Sequence, residues 1–517
     1  MGHLLGIDVG TSASKAVLCN ARGKVLGSGS GEHPSSHPRP GWSEQSPEDW
    51  WKSARKSVRE ALKSANVDGK SVSAIGLTGQ MHGSVLLDSA GKPLRPAILW
   101  NDQRTAEQCA WIENRLGGRA RVIERVGNPA LTGFTAPKLL WVRENERKTW
   151  DSVKKLLLPK DYLRLKLTGE HSTDVADASG TLLLDVCKRD WSAEMLERLE
   201  LERSLLPRVQ ESTQISGVLT ASSAKALGLR PGVPVIAGAG DQPAGAVGVG
   251  LVKPGIIGAS IGTSGVIFSA TDQPLFDPEG RIHTMCHAIP GAWCVFGCML
   301  SAGASLQWFR NQLADKELRW LRKHPRRARG RSAYDLLAEA AQRADPGCGG
   351  VFFLPYLSGE RCPFSDPEAR GGWVGVNLST SRNQLLRSIF EGVSYNLGEI
   401  LDLLRALGLE VDHIRATGGG AKSVFWRQLL ADVFGATVRT TRSDEGPAFG
   451  AALLAGVGTG VWPTVHEACA KAVKLAETSK PAPGAVDIYR DLRKTFVEQR
   501  LRFLGAGSES HRSSDRA

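Results

Sequence analysis

Gly6-Ile7-Asp8-Val9-Gly10-Thr11-Ser12 returns 252 residues later as Gly258-Ala259-Ser260-Ile261-Gly262-Thr263-Ser264, in a chain of 517 residues. In both copies an apolar run enters Gly-Thr-Ser and a second follows, Ala16-Val17-Leu18 in one and Val266-Ile267-Phe268 in the other. Each reads as a β-hairpin, and self-similarity at half the chain length predicts two domains built on one plan. Glycine at the tip lets backbone N–H groups approach a ligand, and the hydroxyls of Thr11, Ser12, Thr263 and Ser264 add donors, so each tip suits phosphate oxygens. The copies differ where chemistry would differ: Asp8 in the first is Ser260 in the second. A magnesium ion needs oxygen ligands, which makes Asp8 the expected metal-side residue.

Outward from the hairpins the pattern is α/β. A helix follows the turn at 33–40, with Trp50, Trp51, Ala54, Val58, Ala61 and Leu62 on one face. Strands are expected over 72–77 and 96–100. Each runs into a polar or glycine-containing segment, Thr78-Gly79-Gln80-Met81-His82-Gly83 and Asn101-Asp102-Gln103-Arg104, at the strand end where α/β proteins take their ligands. Another buried strand, 233–237, leads into Gly238-Ala239-Gly240-Asp241-Gln242 and then a helix. An acidic residue there can be a helix cap, but Gly238, Gly240 and Gly245 around it imply close backbone approach, and Asp241 is the candidate catalytic residue. In the second half, Thr417-Gly418-Gly419-Gly420 lies between a strand at 413–416 and a helix at 425–433, an edge suited to a nucleotide.

The length exceeds what one core usually fills, so two domains are expected, 1–245 and 246–500, followed by a polar, disordered tail at 505–517. A composition that is 41% hydrophobic and 23% charged excludes a disordered chain. No apolar run is long enough for a membrane span and the first residues lack a signal peptide's pattern, so the expectation is a cytoplasmic protein with no membrane partner. Nine scattered cysteines point to reduced thiols. The group His283, Cys286, His287, Cys294 and Cys298 has no paired CxxC, and 293–300 reads as an apolar strand, so zinc is not expected there. Eight Lys or Arg between Lys316 and Arg331 account for much of the net charge of +12. With Trp320 alone among them, and Pro325 and Gly330 interrupting, the stretch reads as a solvated helix end and loop; a docking patch for an acidic partner is the alternative, and nucleic acid is not an expected partner. A homodimer is the expected assembly, though no motif specifies it.

Two long stretches carry a family resemblance. One is Gly133-Phe134-Thr135-Ala136-Pro137-Lys138-Leu139-Leu140-Trp141-Val142-Arg143-Glu144-Asn145; the other runs from Gly371-Gly372-Trp373-Val374-Gly375-Val376 to Ser388-Ile389-Phe390-Glu391. In both, and over nearly the whole length, the chain resembles the FGGY carbohydrate kinases. The resemblance implies Mg²⁺ and ATP as cofactors and an actin-like ATPase fold, two ribonuclease-H-like domains with a cleft between them, with sugar held mainly by the first and the nucleotide mainly by the second. It implies Asp241 as catalytic base, Asp8 near the metal, and Met81, His82, Asp102, Asp241 and Gln242 around the sugar. Thr11, Ser12, Thr263, Gly303, Gln307, Gly419 and Gly420 fall on positions used around the nucleotide. Gly79-Gln80-Met81-His82-Gly83, Leu99-Trp100-Asn101-Asp102 and Leu158-Pro159-Lys160-Asp161-Tyr162-Leu163 point within the family to D-xylulose as acceptor. Gln242 departs from the asparagine of some xylulose-type members, which keeps ribulose, gluconate and glycerol as alternatives; an actin-like ATPase without an acceptor is the reading from another class. The basic stretch has no counterpart in the family pattern and receives no role.

Overall fold

The computed structural model describes residues 2–442 and 445–514, with side chains through Gly505. Two compact units emerge, each from three separate stretches of chain: 1–253, 270–295 and 445–474 in the first, and 254–269, 296–444 and 475–517 in the second.

In unit 1 the first hairpin forms as its pattern predicts. His3–Val9 pairs antiparallel with Ala13–Asn20, which pairs antiparallel with Val25–Glu32. His3–Val9 also pairs in parallel with Val72–Gly79, and the sheet continues through Pro234–Ile236 to Ile215–Val218, the last pair antiparallel. The helix Pro47–Ala65 covers the Val25–Glu32 side and buries Trp50, Ala54, Val58, Ala61 and Leu62, the stripe its spacing predicts. The other face is closed by Gly446–Gly458, an apolar helix that returns to this unit late in the chain. That helix lies against backbone. A Cβ on Gly6 would stand 1.8 Å from the Ala448 carbonyl oxygen, and one on Gly76 would stand 1.9 Å from that of Ala451. Gly6, the first residue of the repeated motif, is thus required by helix packing and not by a ligand.

Unit 2 repeats the plan. Its strands run in the order Trp293–Met299, Gly265–Thr271, Gly255–Ile261, Val411–Thr417, Val438–Thr441, Leu475–Ser479. Gly255–Ile261 pairs antiparallel with Gly265–Thr271 and in parallel with Val411–Thr417; Val438–Thr441 continues in parallel and Leu475–Ser479 closes antiparallel. The two hairpin tips differ by one residue, since the last ladder pair is Val9↔Ser14 in one and Ile261↔Gly265 in the other. Within this unit the second long signature is mostly internal scaffolding. Buried Glu391 accepts from the Gly347 N–H, Arg387 and two tyrosines, Tyr395 and Tyr489, and the Trp373 indole donates to the carbonyl of Leu385. The helix Ala485–Ser514 extends past Gly505, where the disordered tail was expected; residues 515–517 lie outside the described residues.

All nine cysteines are free. Cys286 and Cys294 are buried, and burial pushes the thiol of Cys286 up to about 11. No described helix is long and apolar enough to cross a membrane.

Candidate active site

Asp8 and Asp241, the two carboxylates the sequence singles out, are electrostatic neighbours in unit 1. Asp8 stands on His3–Val9 opposite Lys15, and its Oδ1 is buried without a hydrogen-bond partner. Burial, and then the neighbouring Asp241, push its carboxyl up to about 7, against the pull of Lys15, which itself pairs with Glu445 at 2.6 Å. A buried carboxyl with an orphaned oxygen, disfavoured in its ionised form by burial and by the neighbouring Asp241, is a hard donor that a divalent cation would relieve. The residues present therefore fit magnesium.

Asp241 reaches this place by a tightly constrained turn. The chain leaves Pro234–Ile236, turns at Gly238 with φ +74°, and pairs again with Val72–Gly79 through Ala239–Gly240 before the helix Asp241–Gly248 begins. A Cβ on Gly238 would meet the Leu77 carbonyl oxygen at 2.0 Å, and one on Gly240 would meet Met81 at 2.6 Å. The close approach expected from these glycines is thus to the protein's own chain. Asp241 opens the helix rather than capping it, because Gly240 holds the cap position. The residue keeps partial solvent contact, yet its surroundings push the carboxyl up to about 6, while hydrogen bonds from the Gln242 backbone and side chain favour the ionised form. Such a group is mostly ionised at neutral pH and still able to take a proton.

The Lys160-Asp161 pair of the third xylulose-type stretch lies behind this turn. Fully buried Lys160 places Nζ 2.5 Å from Asp161, 2.6 Å from Asp174 and 3.2 Å from Asp177. One carboxylate oxygen of each of these three aspartates lies within 4.8 Å of the others, a spacing that could hold a metal ion, but the ammonium already serves as their cation. Arg164 pairs with Asp161 and donates to the carbonyls of Ser172 and Ala237, tying the cluster to the strand that ends in Asp241.

Met81 and His82 follow Val72–Gly79. Met81 is buried against Gly240. His82 adopts φ +69°, uncommon for a residue with a side chain, and four contacts hold it there. Its Nδ1 lies 2.7 Å from the Gly180 carbonyl oxygen and its ring meets Phe134 edge-on at 4.8 Å. Its carbonyl accepts from Thr135 Oγ1 at 3.0 Å and from Lys138 Nζ at 2.9 Å. Lys138 is wholly buried and donates also to the Gly133 carbonyl at 2.7 Å; burial, partly offset by Asp102, brings its ammonium down to about 7. The first signature thus supports the Met81-His82 loop from beneath, a role the residue pattern alone did not reveal.

Asp102 does not join Asp8, Asp241, Met81 and His82 as an open group. Its carboxylate is fully buried and already accepts four bonds, from the N–H of Ser43 and from the backbone N–H, Nε and Nη of Arg104. Arg104 in turn lies 3.6 Å over the Trp42 ring. Those contacts fill a carboxylate's acceptor positions, so Asp102 holds its loop in place. At the hairpin tip Ser12 is exposed, and Thr11 Oγ1 accepts from the Trp100 indole at 3.0 Å. Gln45 supports the tip, donating to the Thr11 carbonyl while its Oε1 accepts from Trp50 and Gln80 at 2.8 Å. Nothing in the spacing of the sequence marks Gln45.

In unit 2 all five expected nucleotide residues converge. Thr263, Gly303, Gln307, Gly419 and Gly420 line one cavity of about 520 Å³, with Ile261, Leu306, Phe390 and Trp426 as apolar wall. Its size and its mixture of apolar walls with backbone and hydroxyl donors suit a nucleotide. Gly303 starts the helix Gly303–Leu313; its N–H donates to Gly262 at 2.9 Å, and a Cβ there would meet the same carbonyl oxygen at 2.4 Å. Gly419 differs: at φ −60° and ψ −38° its missing Cβ faces open space, whereas one on Gly420 would strike Ile261 at 2.5 Å.

Comparison with known proteins places the chain in a family. Residues 3–248 match the N-terminal domain, and residues 258–459 the C-terminal domain, of the FGGY family of carbohydrate kinases. The chain is 41% identical to a xylulose kinase of Escherichia coli K12 over 493 residues, 95% of this chain and 97% of that one. Among solved structures, one described as a xyloylose kinase from Brucella ovis aligns at 36% identity with a TM-score of 0.87, covering 96% of this chain and 98% of that one. A gluconate kinase from Lactobacillus acidophilus aligns at 27% identity with a TM-score of 0.89, covering 96% and 97%. Matched by both domain models of the family and by a relative aligned along almost its whole length, the chain belongs to the FGGY family of carbohydrate kinases and is a sugar kinase that uses ATP as phosphoryl donor.

Proposed function

We propose that the protein phosphorylates D-xylulose to D-xylulose 5-phosphate, with Asp241 as general base. The observation that carries the substrate is the 41% identity to a xylulose kinase across almost the full length of both chains. Unit 1 takes the sugar, through Met81, His82, Asp241 and Gln242, with Asp102 fixing the adjoining loop from within. Thr263, Gly303, Gln307, Gly419 and Gly420 of unit 2 take ATP, and Thr11 and Ser12 donate to its phosphates.

Phosphoryl transfer asks the protein for alignment, proton removal and charge neutralisation. Asp241 accepts the proton of the terminal C5 hydroxyl as that oxygen attacks the γ-phosphorus in line and ADP leaves. Its carboxyl, raised to about 6, remains ionised at neutral pH and basic enough for the task. Asp8 would hold magnesium, which would supply positive charge to neutralise the phosphates. The left-handed turn at His82 presents the imidazole to the sugar, and its rigid support means little order is lost on binding. The reading extends to a cytoplasmic homodimer, the location supported by dependence on ATP and by nine free thiols, the assembly countable by sedimentation.

A coupled assay of ADP release tests the substrate, with D-xylulose, ribulose, gluconate and glycerol compared by kcat/KM. D-Xylulose leads if the reading is right. A lead for gluconate, whose kinase shares this fold, or for glycerol would replace the substrate and leave the kinase standing.

A further inference from the structure

The eight Lys and Arg between Lys316 and Arg331 have a place in the fold that the sequence did not disclose. They sit between two segments that line the nucleotide cavity. Gly303, Leu306 and Gln307 precede them on Gly303–Leu313, and Ser332, Tyr334 and Asp335 follow them at the start of Ala333–Ala341. The first basic helix, Asp315–Lys323, packs against Ala333–Ala341. The charge is largely uncompensated. Arg319 reaches Asp315 at 3.9 Å and Arg331 pairs with Glu339, while buried Glu317 is taken by Arg382 at 2.9 Å. Lys316, Arg322, Lys323, Arg326, Arg327 and Arg329 are exposed and have no carboxylate partner among the described residues. A seventh cation, Arg310, lies 5.1 Å over the ring of cavity-lining Tyr334.

From this we infer that the basic segment is a capture surface for the anionic nucleotide, drawing ATP towards the cavity before any specific contact forms. The inference rests on the cavity being the nucleotide site. A cluster of one sign beside a low-dielectric pocket raises the local concentration of an oppositely charged ligand and its association rate, by roughly 10- to 1,000-fold, and salt removes the effect. Nucleic acid fits the segment less well. Its lone aromatic, Trp320, is half-buried and lies tilted against His324, ring centroids 5.4 Å apart, whereas single-stranded nucleic acid is held by exposed rings among the cations.

The test replaces Lys316, Arg322, Lys323, Arg326, Arg327 and Arg329 together by Gln, beside a second variant in which the four arginines become Lys. Stopped-flow binding of ADP carrying a fluorescent N-methylanthraniloyl group gives association and dissociation rates from low to high salt, and calorimetry gives the affinity for uncharged adenosine. The Gln variant is expected to associate about tenfold more slowly at low salt, with little remaining salt dependence, an unchanged dissociation rate, unchanged adenosine affinity and unchanged kcat at saturating ATP. The Lys variant keeps the parent's rate and salt slope, which shows that charge and not fold is responsible. Equal association rates and salt slopes in the parent and a Gln variant that still binds adenosine would overturn capture and leave the cavity assignment intact. Failure of the parent to bind either ligand would instead overturn the cavity assignment, and capture with it.

Discussion

Lys138 spends a fully buried side chain on two backbone carbonyls, those of His82 and Gly133. In Lys138→Met both carbonyls lose a donor where water cannot replace it, costing about 1–3 kcal/mol of stability. Because His82 then leaves its left-handed turn more easily, KM for the sugar is expected to rise about tenfold while KM for ATP stays constant. A change confined to ATP would show that the support theory is wrong. At Asp8 and Asp241 the fold raises the carboxyl pKa above the ordinary 3.8, so it favours their protonated forms. The stability they lend is present in full below about pH 4 and is lost as pH climbs through about 6 to 7. Asp8→Asn removes one such term. Its melting temperature is expected to exceed the parent's at pH 8 and to converge with it near about pH 4, and added magnesium should raise the parent's but not the variant's at pH 8. A variant melting below the parent at pH 8 would contradict the orphaned-oxygen account.

At the scale of elements, the glycines separate into those that seat helices and those, such as Gly419, whose missing Cβ faces open space, a distinction visible only in space. A Cβ on Gly450, in Gly446–Gly458, would stand 1.8 Å from the Ala244 carbonyl oxygen in the helix that begins at Asp241. Gly450→Ala is therefore expected to cost 1–3 kcal/mol or more, read by denaturant unfolding. Gly419→Ala meets nothing, so stability should hold or rise slightly, while the new methyl enters the cavity and raises KM for ATP roughly tenfold. Equal damage to folding by both would erase the distinction. Sequence pattern made the hairpins, the face of Pro47–Ala65 and the glycine turn at Gly418 legible, because these are local and periodic. It could not say that Gly6 serves a helix more than 400 residues further on, or that Asp102 is saturated by Arg104, because both depend on which segments meet.

For the molecule as a whole, the repeat of Gly-Thr-Ser at half-chain spacing foretold two sheets of one plan, and in both sheets five consecutive strands pair in the same sequence, antiparallel, parallel, parallel, antiparallel. The return of 270–295 and 445–474 to the first unit was not legible, since hydrophobic pattern marks a helix or strand but not its distant partner. Of the candidate site, the residues whose types carry chemistry, Asp8, His82 and Asp241, could be singled out from context, whereas Gln45, Thr135 and Lys138 act through hydrogen bonds to distant backbone carbonyls that leave no trace in spacing. The central claim is that Asp241 removes the proton of the sugar hydroxyl, and Asp241→Asn tests it most directly, since the amide keeps the size and loses the proton acceptor. Turnover is measured at saturating D-xylulose and ATP, with affinities for both taken by calorimetry and folding by thermal unfolding. The account predicts a folded protein with affinities nearly unchanged and kcat lower by about 10²- to 10⁴-fold; a variant that folds, binds both ligands and turns over within about threefold of the parent would contradict it.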